Sequence, residues 1–205
     1  MPDLNDTYLT VKSKAEGFFK DRNSKFISHI YPVNSEEEIK YIQKTLRKTY
    51  HDARHHCFAW KLGVDDNNYR VNDDGEPNNS AGQPIYGQIL SNNITNVLIV
   101  VIRYFGGTKL GIPGLINAYR NSAAEAISDA TIIEKHISDI YSIDFTYEEM
   151  NLVMRLIKEY DLKMIEQNFD LNCNIKIEIR QSLTETVISK FNTIQKVKTN
   201  LLRTI

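Results

Sequence analysis

The side chains best suited to chemistry begin with an acidic loop. Asp73, Asp74 and Glu76 place three carboxylates within four residues, and Gly75 and Pro77 shape the same loop. Carboxylates this close repel one another unless a cation, an arginine or several backbone N–H groups compensate them. The spacing indicates either a site for a divalent ion or a basic partner, or a solvated acidic turn. An EF-hand is excluded because its D-x-D-x-D-G ladder and later glutamate are missing.

A second candidate is a glycine-rich turn that directly follows a strongly apolar run. Arg103 and Tyr104 end that run, and Gly106, Gly107 and Lys109 come next. Glycines let backbone N–H groups approach an anion, and a following helix start adds favourable partial charge. The pattern favours an anion site, such as one for nucleic-acid phosphate, with a packing turn as the alternative. It matches neither a P-loop nor G-x-G-x-x-G.

His55 is the third candidate, at the start of a predicted strand. Neighbouring strand residues point to opposite faces, so Cys57 shares a face with His55 and not with His56. Cys173 and the other histidines are scattered along the chain, which argues against a zinc site. No G-x-S-x-G elbow occurs for acyl transfer. His55 is therefore either a ligand-binding residue or a hydrogen-bonded structural one.

The elements that position these residues follow from hydrophobic periodicity and turn residues. We predict strands at 8–11, 25–33, 57–62 and 96–104, helices at 36–49, 81–90 and 114–129, a turn at 21–24 and a loop at 65–77. The run at 96–104 is apolar and β-branched, which predicts a central strand buried on both faces. Gly114 opens the last of these helices. Strands mixed with helices indicate an α+β domain.

The pattern restarts near residue 134, so we predict domains at 1–134 and 135–205. In the second domain we predict strands at 137–147, 162–169, 172–180 and 198–205, helical stripes at 150–160 and 184–194, and a hairpin turn at Asp170 and Leu171. The order βαββαβ is the split-βαβ, ferredoxin-like pattern.

Composition limits the classes of function. The chain is 41% hydrophobic and 25% charged, as is typical of a globular protein, and its net charge of −1 gives no overall pull toward nucleic acid. A nucleic-acid contact must therefore come from a local patch. The two cysteines suggest buried thiols in a reducing cytosol. With no secretory signal and no apolar run of membrane-spanning length, we expect a cytoplasmic protein.

Four segments of the chain together resemble the YigZ/IMPACT family. They are Ala53-x-His55-x-x-Phe58-Ala59; Asp73-Asp74-Gly75-Glu76-Pro77 with Ala81-Gly82-x-Pro84-Ile85; Arg103-Tyr104-Phe105-Gly106-Gly107-x-Lys109-Leu110-Gly111; and Gly114-Leu115 with Ala118-Tyr119. One departure concerns charge, because Asn117 stands where the family usually has an arginine.

The resemblance implies a fold and a setting for the protein. It implies an N-terminal domain like ribosomal protein S5 domain 2 and elongation factor G domain IV, and a C-terminal domain like domain V of that factor. Both comparisons imply contact with RNA or the ribosome and a link to translation. The eukaryotic relatives act through an additional RWD domain that we do not expect here, so their regulatory role is not carried over.

Two hypotheses of function follow. The first is a binding module in which Arg103, Lys109 and the glycine turn contact RNA or a ribosomal partner. The second is an enzyme in which the acidic loop and His55 act on a small phosphorylated substrate, as in metal-assisted hydrolysis. We expect no resident cofactor or metal and no membrane partner, and the oligomeric state stays open.

Overall fold

The chain folds into two units, each combining an antiparallel sheet with helices. The computed structural model describes residues 6–65, 67–169 and 173–204. One unit comprises Tyr8–Glu134, and the other joins the chain from Lys135 onward with the segment that ends at Thr7. This mixed composition agrees with the fold class that the sequence predicts.

The secondary-structure elements of the described residues are as follows. The strands are β1 (Thr7–Val11), β2 (Ala15–Asp21), β3 (Ser24–Pro32), β4 (His55–Lys61), β5 (Tyr69–Asn72), β6 (Val97–Tyr104), β7 (Ile132–His136), β8 (Ser138–Phe145), β9 (Lys163–Phe169), β10 (Cys173–Arg180) and β11 (Lys198–Thr204). The helices are α1 (Glu36–Thr49), α2 (Gly82–Ser91), α3 (Gly111–Asp129), α4 (Met150–Glu159) and α5 (Gln181–Asn192). The predicted helix positions agree with the observed ones to within a few residues.

The sheet of the first unit is built around β6. Its strand order is β2-β3-β6-β4-β5, and every neighbouring pair is antiparallel. Successive residues of β6 belong to two different cores, one on each face of the sheet. Val97, Ile99 and Val101 pack with α2 and α3, and Leu98, Val100 and Ile102 pack with α1. The predicted central strand, buried on both faces, is confirmed.

Three strands were not predicted, namely β2, β5 and β7. The strands β2 and β5 form the two edges of the five-stranded sheet, and β7 pairs with β1 in a two-stranded sheet. Many residues of these strands are exposed, so the alternation of apolar and polar residues on which strand prediction depends is weak. The predicted turn before β3 is confirmed, with Arg22 and Asn23 at positive φ values of 41° and 65°.

The second unit has the predicted βαββαβ order, from β8 to β11. Its sheet order is β11-β8-β10-β9, with antiparallel neighbours throughout. The apolar side chains of α4 and α5 pack on one face of this sheet. Arg180 Nε and Nη2 each donate a hydrogen bond to one oxygen of the Asp6 carboxylate, and this holds the pKa of Asp6 well below its usual range. The predicted hairpin turn at Asp170 and Leu171 lies outside the described residues.

No helix within the described ranges is both long enough and apolar enough to cross a membrane.

Candidate functional site

The charge of Arg103 is neutralised inside the first unit. Arg103 Nη1 lies 2.6 Å from Glu76 Oε1, and the two side chains are only 7% and 5% exposed. The guanidinium carbon also lies 5.5 Å and 5.6 Å from the ring centroids of Phe26 and Phe105. Arg103 is therefore a buried, paired cation between two aromatic rings, and not the surface cation that the first sequence hypothesis needs.

Glu76 also connects the acidic loop to α3 and β4. Its Oε1 accepts a hydrogen bond of 2.8 Å from the Tyr119 hydroxyl, which in turn lies 3.3 Å from the thiol sulfur of Cys57. Burial raises the pKa of both Tyr119 and Cys57, so these groups stay protonated at neutral pH. The network holds neutral donors around one buried ion pair and contains no reactive thiolate.

Asp73 caps helix α2 from nine residues away. Its Oδ1 accepts hydrogen bonds of 2.9 Å from the backbone N–H groups of both Ala81 and Gly82, and its Oδ2 accepts one from Asn79. Helix α2 has no capping side chain at its own N-cap residue. A carboxylate in this position satisfies N–H groups that the first helical turn leaves unpaired.

Asp74 ties the loop to α1 and to β4. Its Oδ1 accepts from Arg47 Nη2 at 2.8 Å, and its Oδ2 accepts from the backbone N–H of His56 at 2.6 Å. The Asp74 carbonyl oxygen lies 2.9 Å from Nδ1 of the half-buried His55. His55 therefore makes the structural hydrogen bond that sequence analysis left open as one of its two roles.

The acidic loop consequently has no unengaged carboxylate group. Each of its three acids accepts hydrogen bonds from within the same unit. In the part of the chain that the structure describes, no group of three or more His, Cys, Asp or Glu side chains could hold a metal ion. The three carboxylates therefore have structural roles within this unit.

The glycine-rich turn divides into an anchored part and an open part. The Gly106 amide donates to Ser24 Oγ at 3.1 Å, and a Cβ atom at Gly106 would lie 2.1 Å from the Asn23 carbonyl carbon. Gly107, at φ +89°, has open space around it. Gly114 lies in the first turn of α3, against Leu110. The Gly106 amide is thus used internally and does not face an anion.

Phe105 is the most exposed large apolar side chain near these loops. It is 56% exposed and lies between two pockets of about 380 Å³ and 390 Å³ that both include Arg103. Arg54 and His55 line the first pocket, and Lys109 lines the second. Arg54 and Lys109 are exposed, and neither forms a side-chain hydrogen bond or ion pair with another described residue.

Tyr104 borders the first pocket and is held by a loop carboxylate. Its hydroxyl donates to Asp52 Oδ1 at 2.7 Å, and this bond raises the pKa of Tyr104 to about 12. The ring therefore offers a neutral hydroxyl at physiological pH.

The structure thus groups the predicted site residues in one unit but gives them different roles. His55, Glu76, Arg103, Tyr104 and Lys109 all line the paired pockets beside Phe105. Other predicted residues hold the framework: Asp73, Asp74 and Gly106. Sequence reasoning missed Phe105 and Arg54. A large aromatic residue placed between a buried strand and two glycines was the available signal for Phe105.

Comparison with known proteins places these loops inside a recognised domain. A family model described as the Impact N-terminal domain matches residues 22–127, which include every predicted site residue. The chain is 31% identical over 150 residues to IMPACT family member YigZ of Escherichia coli, covering 72% of this chain and 74% of that protein. It is 29% identical over 178 residues to IMPACT family member YvyE of Bacillus subtilis, covering 87% and 82%.

A solved structure shares the overall fold. A crystal structure described as that of a hypothetical protein aligns with a TM-score of 0.77 at 24% identity, covering 98% of this chain and 99% of that chain. This similarity supports the fold and assigns no activity.

Proposed function

The chain belongs to the IMPACT family, and from that premise we propose that it is a translation-linked module that binds RNA through the surface around Phe105. One observation carries the proposal. An exposed aromatic ring lies between two pockets, and each pocket presents one cation with no side-chain partner among the described residues, Arg54 or Lys109. An aromatic ring flanked by cations is suited to a nucleic-acid base and its neighbouring phosphates.

Arg103 has a positioning role in this proposal. Its own charge is balanced by Glu76, so it adds little attraction for phosphate. Its guanidinium lies against the Phe105 ring, however, and a cation–π contact of this kind restrains an otherwise exposed aromatic residue. The buried ion pair thereby helps to hold the ring between the pockets.

The finer domain assignment belongs to the same proposal. We assign residues 1–134 to a domain like ribosomal protein S5 domain 2 and elongation factor G domain IV, and residues 135–205 to a ferredoxin-like domain like domain V of that factor. The βαββαβ order of the second unit supports its part of the assignment. Two buried free thiols, Cys57 and Cys173, support a reducing, cytoplasmic location.

A matched pair of variants tests the proposal. Arg54→Gln/Lys109→Gln removes the two exposed cations that line the pockets. Lys44→Gln/Lys48→Gln makes the same change in net charge at two exposed lysines of α1 that have no side-chain partner among the described residues. Fluorescence anisotropy with a labelled single-stranded RNA of about 16 nucleotides measures the affinity. The pocket variant should lower the slope of log K against log salt by about 1.4, because each phosphate contact contributes about 0.7.

Phe105→Ala tests the same site without changing its charge. Loss of one stacked base should weaken binding roughly fivefold or more at constant salt. The proposal is overturned if the wild-type protein binds no RNA at low salt, or if both site variants bind like the α1 control.

A further inference from the structure

We propose that the RNA site extends from Phe105 across the open part of the β2-β3-β6 sheet, and that it takes single-stranded rather than double-stranded RNA. This inference rests on the proposed function and adds the strand class of the ligand and a second subsite. The subsite consists of Phe18, Lys20 and Lys25, and we call it the sheet subsite. None of its residues was a candidate in the sequence analysis.

Strand register places the sheet subsite beside Tyr104. In β2, β3 and β6, Lys20 pairs with Lys25 and Lys25 pairs with Tyr104, so the three side chains form one row across the sheet. Two residues along, Phe18 pairs with Ile27. Ile27 and Tyr104 both pack with the α1-side core, so both rows lie on the face that α1 covers only in part.

The pairing of Lys20 with Lys25 is the observation that points to an anion. Like charges directly opposite one another on neighbouring strands destabilise a sheet. Both lysines are exposed, and neither has a side-chain hydrogen bond or ion pair with another described residue. Of the acids around this row, Glu16 Oε1 lies 3.3 Å from His29 Nδ1, and Asp52 accepts a hydrogen bond from the Tyr104 hydroxyl. Asp21, next to Lys20, falls on the opposite face of β2 by strand alternation. A phosphate between the two ammonium groups would compensate both.

Phe18 identifies the ligand as one that exposes bases. Its ring is 55% exposed in the row next to the lysine pair. A pocket of about 320 Å³, lined by Lys25, Tyr104 and Phe105 among others, connects this row to the Phe105 site. Aromatic side chains on one face of a sheet, interleaved with lysines, can stack unpaired bases while cations contact phosphates. Bases in a duplex are already stacked on one another and cannot use such rings.

Helix α1 offers a control surface of the same composition. Tyr41, Lys44 and Lys48 follow helical spacing on one exposed face, with one aromatic ring and two lysines. Tyr41 is 73% exposed, and Lys44 and Lys48 have no side-chain partner among the described residues. Each change in the sheet subsite can therefore be matched by the same kind of change on α1.

The experiment compares Phe18→Ala with Tyr41→Ala, and Lys20→Gln/Lys25→Gln with Lys44→Gln/Lys48→Gln. Probes are labelled single-stranded RNA, a duplex RNA of the same length and a polyglutamate peptide, each measured by anisotropy. We expect Phe18→Ala to weaken single-strand binding roughly fivefold or more. The lysine variant should lower the salt slope by about 1.4, and the α1 variants should match wild type.

The outcomes separate this inference from the proposed function. If the Phe105 and Arg54/Lys109 variants lose binding while Phe18→Ala and Lys20→Gln/Lys25→Gln match their controls, the sheet subsite is overturned and the proposed function stands. Equal binding of duplex RNA, or tighter binding of polyglutamate, overturns the single-strand assignment. If wild type binds no RNA, both proposals fail.

The thermal unfolding midpoint of Lys20→Gln/Lys25→Gln shows whether this variant is folded as stably as wild type. Because the substitution removes a repulsive pair, its midpoint should equal or slightly exceed that of wild type. A lowered midpoint would contradict the claim that this pair is uncompensated in the free protein.

Discussion

The acidic loop, residues 73–77, and the glycine-rich loop, residues 105–111, both carry charged side chains beside the same sheet, yet their charges differ in availability. Every acid of the first loop accepts hydrogen bonds from within its own unit. In the second loop, Phe105 and Lys109 remain exposed, and Lys109 has no side-chain partner among the described residues. The comparison teaches that charge density along a sequence indicates a site only where the fold leaves the charge unpaired.

The largest expected effect comes from breaking the buried ion pair of the acidic loop. Glu76→Gln keeps the shape of the side chain but leaves the Arg103 charge uncompensated at 7% exposure. We expect a loss of about 3–5 kcal/mol in the free energy of unfolding. Urea unfolding is followed by the fluorescence of Trp60, the single tryptophan, which lies in the first unit.

Two further variants sharpen this test. Lys109→Gln in the glycine-rich loop should change stability by less than about 0.5 kcal/mol, because an exposed charge without a partner contributes little. The double variant Glu76→Gln/Arg103→Gln should lose less than the sum of the two single variants, since it removes both buried charges. Equal effects of Glu76→Gln and Lys109→Gln would remove the distinction between the loops.

The second prediction concerns the anchored part of the glycine-rich loop. In Gly106→Ala, the new methyl group would lie 2.1–2.4 Å from backbone atoms of Asn23 and Ser24, which cannot turn away as a side chain can. We expect a loss of about 1–3 kcal/mol, typical of overpacking. Thr108→Ala, at an exposed position in the same loop, is the control. A neutral Gly106→Ala would show that the whole loop is free of the framework.

How far the sequence predicted the fold depended on where each strand lies. The central strand β6 was predicted because six consecutive apolar residues, Val97–Ile102, must be buried on both faces. At the sheet edges, β2 alternates weakly around Gly17, and β5 has four residues inside a polar loop. Edge strands bury less surface, so their composition carries less information about pairing.

The candidate site shows a different limit of prediction. The sequence indicated that the acidic loop needs compensation by an arginine or by backbone N–H groups, and both kinds of partner are present. It did not indicate that Arg47, in a helix 27 residues earlier, would hold Asp74. Pairing between distant segments depends on how α1 packs on the sheet, which local patterns do not encode.

The third prediction tests whether Asp73 acts as a distant helix cap. Asp73→Ala removes the acceptor of the Ala81 and Gly82 amides at the start of α2, and we expect a loss of about 1–2 kcal/mol. The measurement is the same urea unfolding followed by Trp60 fluorescence. Asp65→Ala removes an exposed acid from the preceding loop and should be close to neutral. A similar loss in both variants would mean that net charge, and not capping, matters.

The smallest expected effect is a pH dependence at the junction of the acidic loop with α1. Burial, and then the charge of Arg47, lower the pKa of His56, while Asp74 raises it and His55 opposes protonation. A histidine whose pKa is lowered by folding contributes stability that is fully present above about pH 6.5. That stability is lost as the pH falls through the lower pKa of the folded state.

Arg47→Gln should therefore raise the pKa of His56 and reduce the stability lost on acidification. The change should amount to less than about 1 kcal/mol, because Arg47 is 52% exposed and its charge is screened. An NMR titration of the His56 ring, assigned with His56→Asn, measures the pKa directly, and Lys44→Gln on the same helix serves as the charge control. An unchanged or lower pKa in Arg47→Gln would show that Asp74 already cancels the field of Arg47. In that case the charges of Asp74 and Arg47 would balance each other on the α1 side of the acidic loop. The glycine-rich loop, whose Lys109 charge has no partner among the described residues, would differ from it in this respect.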